Sequence, residues 1–134
     1  MNEKIFIDTG YWLALLNKKD LNHKNAKAVL ISLKKAHKFT SDFIIFETLT
    51  FLNASLKRND LVKIFIDFVY SKDNIDIIEV NTDIKSAALG LMLKFDDKFF
   101  SFTDCTSFAI MNDYSIKNAY SFDNHFKQMG FKIL

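Results

Sequence analysis

The chain has no proline, 3 glycines and 1 cysteine in 134 residues. So little turn-making material leaves no room for a flexible linker or a low-complexity tail. The single cysteine, Cys105, cannot close an internal disulfide, which excludes a disulfide scaffold and points to a reducing compartment. No apolar run reaches the roughly 18 residues of a membrane-spanning helix. The start, MNEKIFIDTGYW, carries Glu3 and Asp8 and lacks the apolar stretch of a secretory signal, so a cytoplasmic protein is expected. Charge of one sign is also scarce: 18 Lys+Arg against 16 Asp+Glu leave +2, too little to predict nucleic-acid binding from composition. What is present is a globular composition, 49% hydrophobic and 25% charged in 15.6 kDa. This predicts one domain over residues 1–134.

Lys4 to Ile7 is a short β-favouring run that stops at Asp8-Thr9-Gly10, which predicts a strand and then a loop. Apolar residues recur at helical spacing over Tyr11 to Leu16 and Asn22 to His37. Lys38 to Thr40 is a short strand candidate, with Ser41 or Asp42 capping a helix from Phe43 to about Leu56. Asn59-Asp60 interrupts the pattern before a helix over Leu61 to Tyr70. A strand over Ile75 to Val80 precedes a helix from Thr82, its expected cap, to about Phe95. After a charged loop, Asp96 to Ser101, the sequence predicts a helix over Phe102 to Tyr114 and short strands at Asn118 to Ser121 and Phe131 to Leu134. Strands alternating with helices imply a mainly parallel sheet covered on both faces, an α/β/α sandwich.

Four acids stand out against that pattern. Asp8 and Asp123 each follow a strand, so both belong to the carboxyl edge of the sheet, where open α/β sheets bind ligands. Glu47 lies within a helix with Phe43, Ile44 and Phe51 at i−4, i−3 and i+4, an apolar face expected to bury it. Asp104 opens the helix of SFTDCTSFAIM. Each has a plain structural explanation: Asp8 an Asx turn, Asp104 a capping box with Ser101, Asp123 a helix cap, Glu47 a salt bridge. Their convergence would be costly, since two unit charges about 5 Å apart at an effective dielectric of about 20 repel by roughly 3 kcal/mol. Proton uptake or a hard divalent cation relieves that, and Mg²⁺ or Mn²⁺ suits an all-carboxylate site.

Competing chemistries fit less well. His23, His37 and His125 fall in no zinc-ligand spacing. Cys105 sits in an apolar stripe as a small buried hydrophobe. An aspartate-nucleophile phosphatase would need a second acid two residues after Asp8, where Gly10 stands. Glycines at 10, 90 and 130 form no dinucleotide-binding turn. The 15 Phe have the spacing of core residues and receive no site role. An acidic site that took a phosphate-bearing ligand would need cations at its rim, and Lys98, in the loop before Asp104, is the preferred candidate.

The segments IFIDTGYWLALLNKKDLNH, TSDFIIFETLTFL, DDKFFSFTDCTSFAIM and AYSFDNHFKQMGF, in that order, resemble a PIN domain, of the small VapC-type ribonuclease toxins of toxin–antitoxin pairs. The resemblance implies a PIN-like three-layer fold and Mg²⁺- or Mn²⁺-dependent endonucleolytic cleavage of RNA, with Asp8, Glu47, Asp104 and Asp123 as the catalytic, metal-holding acids. Thr9, Ser107 and Ser121 match positions that support those acids. It further implies a homodimer restrained by a cognate antitoxin. The rival reading is a PIN-like domain that binds RNA or protein without cutting. Apolar stretches at Phe43 to Phe51 and Leu61 to Tyr70 exceed the needs of a thin core and supply a candidate dimer face.

Overall fold

A computed structural model describes residues 3–71 and 75–134. Its centre is a five-stranded, entirely parallel sheet in the order β3-β2-β1-β4-β5. The strands are β1 (Lys4–Ile7), β2 (His37–Ser41), β3 (Ile75–Ile78), β4 (Asn118–Tyr120) and β5 (Lys132–Ile133). Between β1 and β2 lie α1 (Thr9–Leu16) and α2 (His23–Ser32), and between β2 and β3 lie α3 (Asp42–Thr50) and α4 (Asn59–Val69). The return from β3 to β4 carries α5 (Thr82–Lys94) and α6 (Phe102–Asp113), and α7 (Asn124–Gln128) joins β4 to β5.

Parallel neighbours require crossovers, and right-handed crossovers that step outward and then back put α1 to α4 on one face and α5 to α7 on the other. The sheet is therefore the middle of three layers. Ile5, Phe6 and Ile7 are all 0% exposed, as the central strand of a doubly covered sheet demands. On one face Trp12 meets Phe65 edge-on at 5.5 Å; on the other Phe108 meets Phe126 at 5.1 Å.

Several expectations need correction. No loop follows β1: Asp8 alone separates it from α1, which begins at Thr9 and contains Gly10. The helix expected from Asn22 to His37 ends at Ser32, because the His37 N–H donates to the Glu3 carbonyl at 2.7 Å and draws that residue into the sheet. The helix from α3 onward passes at Phe51–Ser55 into a π turn, with Leu56 N–H bonded to Phe51 C=O at 2.9 Å. The break before α4 falls two residues early, where Lys57 adopts φ 54°; Asn59-Asp60 instead opens α4, with Arg58 clamped to Asp60 at 2.9 and 2.8 Å. Asn81, not Thr82, caps α5, its side chain accepting the Ile84 N–H at 2.9 Å. Strands β3, β4 and β5 are each shorter than their apolar runs.

Candidate active site

The chain order β1, β2, β3 runs outward, and the next strand, β4, returns to the opposite side of β1. The carboxyl ends of β1 and β4 therefore form the crevice of an open α/β sheet. Asp8 is the first residue past β1. Its N–H donates to Tyr120 C=O at 3.0 Å, and its own carbonyl accepts from Trp12 N–H at 3.4 Å, so its backbone both ends the ladder and starts α1. Its side chain caps nothing. It is 7% exposed, and its carboxylate accepts from Ser121 Oγ at 2.9 Å.

Burial pushes Asp8 up from 3.8 to about 7, against the pull of the Ser121 and Thr9 hydrogen bonds, and the negative charges of Asp104 and Glu47 add to the rise. Two hydroxyls nearby in sequence to the acids, Thr9 Oγ1 and Ser107 Oγ, are buried with no hydrogen-bond partner among the described residues. Such orphaned groups are uncommon in a packed interior and mark a place arranged for something besides packing.

Asp104 lies in the first turn of α6, where Ser101 Oγ accepts its N–H at 3.0 Å. That is half of the expected capping box: the Asp104 side chain makes no described return bond to Ser101, and its Oδ2 meets His125 instead. Asp123 caps α7, its Oδ1 accepting the His125 N–H at 2.9 Å, while its own N–H donates to Ser121 Oγ at 3.0 Å. The Ser121 hydroxyl thus bridges Asp8 and Asp123. His125 Nδ1 stands 3.0 Å from Asp104 Oδ2 and 3.3 Å from Asp123 Oδ2. Donor atoms of Asp104, Asp123 and His125 all lie within 4.8 Å of one another.

The structure thus brings Asp8, Asp104, Asp123 and Ser121 together, with Thr9 beside Asp8. Glu47 differs from expectation: it is exposed, because α3 buries Ile44, Ile45 and Thr48 and turns Glu47 one position off that face. It lines an open cleft of about 580 Å³ with Thr9, Phe43, Phe46, Phe51 and Thr103, next to Asp8 and Asp104 along the chain. Lys98 is exposed, and its Nζ lies 3.9 Å from Asp97. No contact ties it to the acids among the described residues. The expectation that Phe is core fails at Phe46, Phe51, Phe68, Phe99 and Phe122, all exposed. Zinc-ligand spacing does not single out His125; the signal for it in the sequence is its place two residues after Asp123, at a helix start.

The donor set suits a hard cation: carboxylate oxygens supply most of it, and a buried Asp8 beside other acids needs positive charge or a proton to be tolerated. Among the described residues no helix is long and apolar enough to cross a membrane. Comparison with known proteins follows the same line. The PIN domain family profile matches residues 5–132. The 23S rRNA-specific endonuclease VapC20 of Mycobacterium tuberculosis is 34% identical over 127 residues, 95% of each chain. The crystal structure of VapC20, described as a sarcin-ricin loop cleaving toxin, superposes with a TM-score of 0.86 over 95% of both chains. VapBC2 from Rickettsia felis bound to a promoter DNA fragment, 13% identical with a TM-score of 0.70 over 98% and 97% of the two chains, shares the fold. So does FitAcB from Neisseria gonorrhoeae, 14% identical with a TM-score of 0.72 over 97% and 96%. The chain belongs to the PIN domain family, among its VapC-type members.

Proposed function

We propose that this protein is a divalent-metal-dependent endoribonuclease of the cytoplasm, a single domain over 1–134 that hydrolyses RNA phosphodiester bonds as the toxin of a toxin–antitoxin pair. The observation that carries the reading is Asp8: a carboxyl group buried at the switch point of the sheet, next to Asp104 and joined through Ser121 to Asp123. The 34% identity to VapC20 over 95% of each chain supports the same activity. Asp8, Asp104 and Asp123 are the residues that would hold Mg²⁺ or Mn²⁺, with Glu47 completing the set from the cleft wall. A divalent ion there supplies the positive charge that a phosphodiester and its attacking water both need.

The chain's own groups do the arranging. Ser121 fixes the Asp8 carboxylate through one oxygen and the Asp123 main chain through its N–H. Asp8, its carboxyl raised by burial, would be the group most eased by a bound cation. Thr9 and Ser107 keep hydroxyls free at the buried end, where they can hold water. Lys98, exposed in the loop before α6, is the proposed contact to the RNA backbone, acting without sequence preference.

Asn at Asp8 or Asp104 keeps the volume and removes the charge. Each variant should fold and lose RNA cleavage in Mn²⁺ by 100-fold or more, roughly the cost of losing a charge-stabilising group in an active site. Chelation should stop the wild type. Undiminished cleavage by both variants sinks the assignment, and RNA binding with no turnover at any metal concentration favours the non-cleaving module instead.

A cognate antitoxin and a second copy of this chain are the proposed partners. A groove between α1, α2 and α4, lined by Trp12, Leu15, Leu30 and Phe65 with Lys18 and Lys27 at its margin, is a candidate seat for the antitoxin. VapBC2 and FitAcB share this fold.

A further inference from the structure

His125 lies outside the four acids, yet its position is set from three sides. Its N–H holds Asp123 Oδ1 at 2.9 Å, and its Nδ1 stands between Asp104 Oδ2 and Asp123 Oδ2 at 3.0 and 3.3 Å. Behind it the ring meets Phe100 edge-on at 5.0 Å, and Phe100 packs against Phe108 of α6 at 5.1 Å. One imidazole therefore ties the turn that carries Asp123 to the helix that carries Asp104. The other hydrogen bond of Asp123 runs to Ser121 at the end of β4 and does not reach α6.

Asp104, bonded to the His125 ring, and Asp123, bonded to the His125 main-chain N–H with its other oxygen 3.3 Å from the same ring nitrogen, are held facing one another. Both retain acceptor capacity, since each ionised carboxylate has about four lone-pair sites. Asp123 stands at the N-terminus of a five-residue helix, too short to hold a side chain rigidly by itself. Without the ring Asp123 keeps the main-chain N–H of residue 125, but the described contact that ties this turn to Asp104 is lost, and a cation would have to bring the two acids together on binding.

We propose that His125 is a positioning residue that locks Asp104 and Asp123 into the mutual geometry a divalent cation requires. This rests on the reading of the acids as the metal centre. Groups that orient metal-binding side chains typically contribute 10–100-fold to metal affinity. The ring is partly exposed, its side chain 32% accessible, so its removal need not unfold the protein.

The test is calorimetric titration of Mn²⁺ into RNA-free protein, for wild type, His125→Ala, His125→Asn and Asp104→Asn, with a thermal melt of each. His125→Ala should bind Mn²⁺ about 10-fold or more weaker, with a melting temperature close to that of wild type. His125→Asn, whose amide nitrogen stands near the place of Nδ1, should recover most of the loss. The Mn²⁺ concentration for half-maximal RNA cleavage should rise in His125→Ala by the same factor. Unchanged Mn²⁺ affinity in His125→Ala overturns the assignment, as does tighter binding, the result if the ring occupied the ion's own place. Equal losses in His125→Ala and His125→Asn with a shared fall in melting temperature also overturn it, since that is the mark of packing alone. Should Asp104→Asn bind Mn²⁺ like wild type, the metal-centre reading fails and takes this inference with it. Should Asp104→Asn lose Mn²⁺ while His125→Ala keeps it, only the role of His125 falls.

Discussion

Asp8 is where function acts against the stability of the fold. Its folded pKa of about 7 lies above the ordinary 3.8, so between those values the folded chain holds a proton that the unfolded chain has released. The contribution of Asp8 to stability is therefore full below about pH 4 and is lost as pH rises through about 7. A shift of this size corresponds to on the order of 4 kcal/mol at complete ionisation. Metal-free Asp8→Asn should melt above wild type at pH 8 and close to it at pH 4. Added Mn²⁺ should raise the wild-type melting temperature at pH 8 more than that of the variant. Coincident melting curves at both pH values would show that Asp8 is not strained by its charge. The residue type and its place after a strand were legible beforehand; its burial was not, because the neighbours that cover it come from segments more than a hundred residues away, Ser121 among them.

Element boundaries follow from which residue satisfies the exposed N–H groups at a helix start. Ser101 and Asn81 do so for α6 and α5. Replacing either by Ala should cost about 1 kcal/mol, read from urea melts. Only Ser101→Ala should also slow RNA cleavage, since its bond starts the turn that presents Asp104; equal activity in the two variants would separate the cap from the site. A cap at Ser41 or Asp42 was readable from the position before an apolar run, and the structure takes Ser41, whose Oγ accepts the Ile44 N–H at 3.1 Å. The choice of Asn81 over Thr82 was not: Val80 N–H is pinned by the Asp42 carboxylate at 3.0 Å, the chain is extended at Asn81, and the cap falls one residue earlier than expected. The π turn after α3 was likewise invisible to periodicity, since Phe51–Ser55 has ordinary helical composition. It appears where Leu52 must reach the core, 0% exposed, while Arg58 N–H bonds back to Leu52 C=O. Wide turns of this kind often occur beside functional sites, and this one lines the cleft of Glu47.

At the scale of the molecule, apolar surface remains after the core is filled. Phe46 and Phe51, 57% and 41% exposed, lie on the cleft side of α3 and the π turn, and α4 exposes Ile64 and Phe68 at 53% and 42%. Of these two faces we propose the α3 side for the dimer, since Phe68 already packs edge-on against Trp12 at 6.0 Å. Sedimentation at micromolar concentration should give twice the mass of 15.6 kDa, and Phe46→Asp combined with Phe51→Asp should return it to the monomer. A monomeric wild type, or a dimer untouched by the double substitution, would remove that face from consideration.

From the sequence alone came the succession of strands and helices along the chain and the layered α/β class, because hydrophobic period is a local property that survives without coordinates; the four acids came as an expectation, from residue type and family resemblance. Tertiary structure decided the rest. Whether like charges converge depends on a strand order that reverses beside β1; Asp8 is enclosed because the end of β4 closes over it, and Glu47 is open because α3 turns its other face to the core. The same holds for His125, whose meaning lies in reaching Asp104 across 21 positions of chain. No local pattern encodes such a contact, since it exists only once two helices and a strand end have packed together.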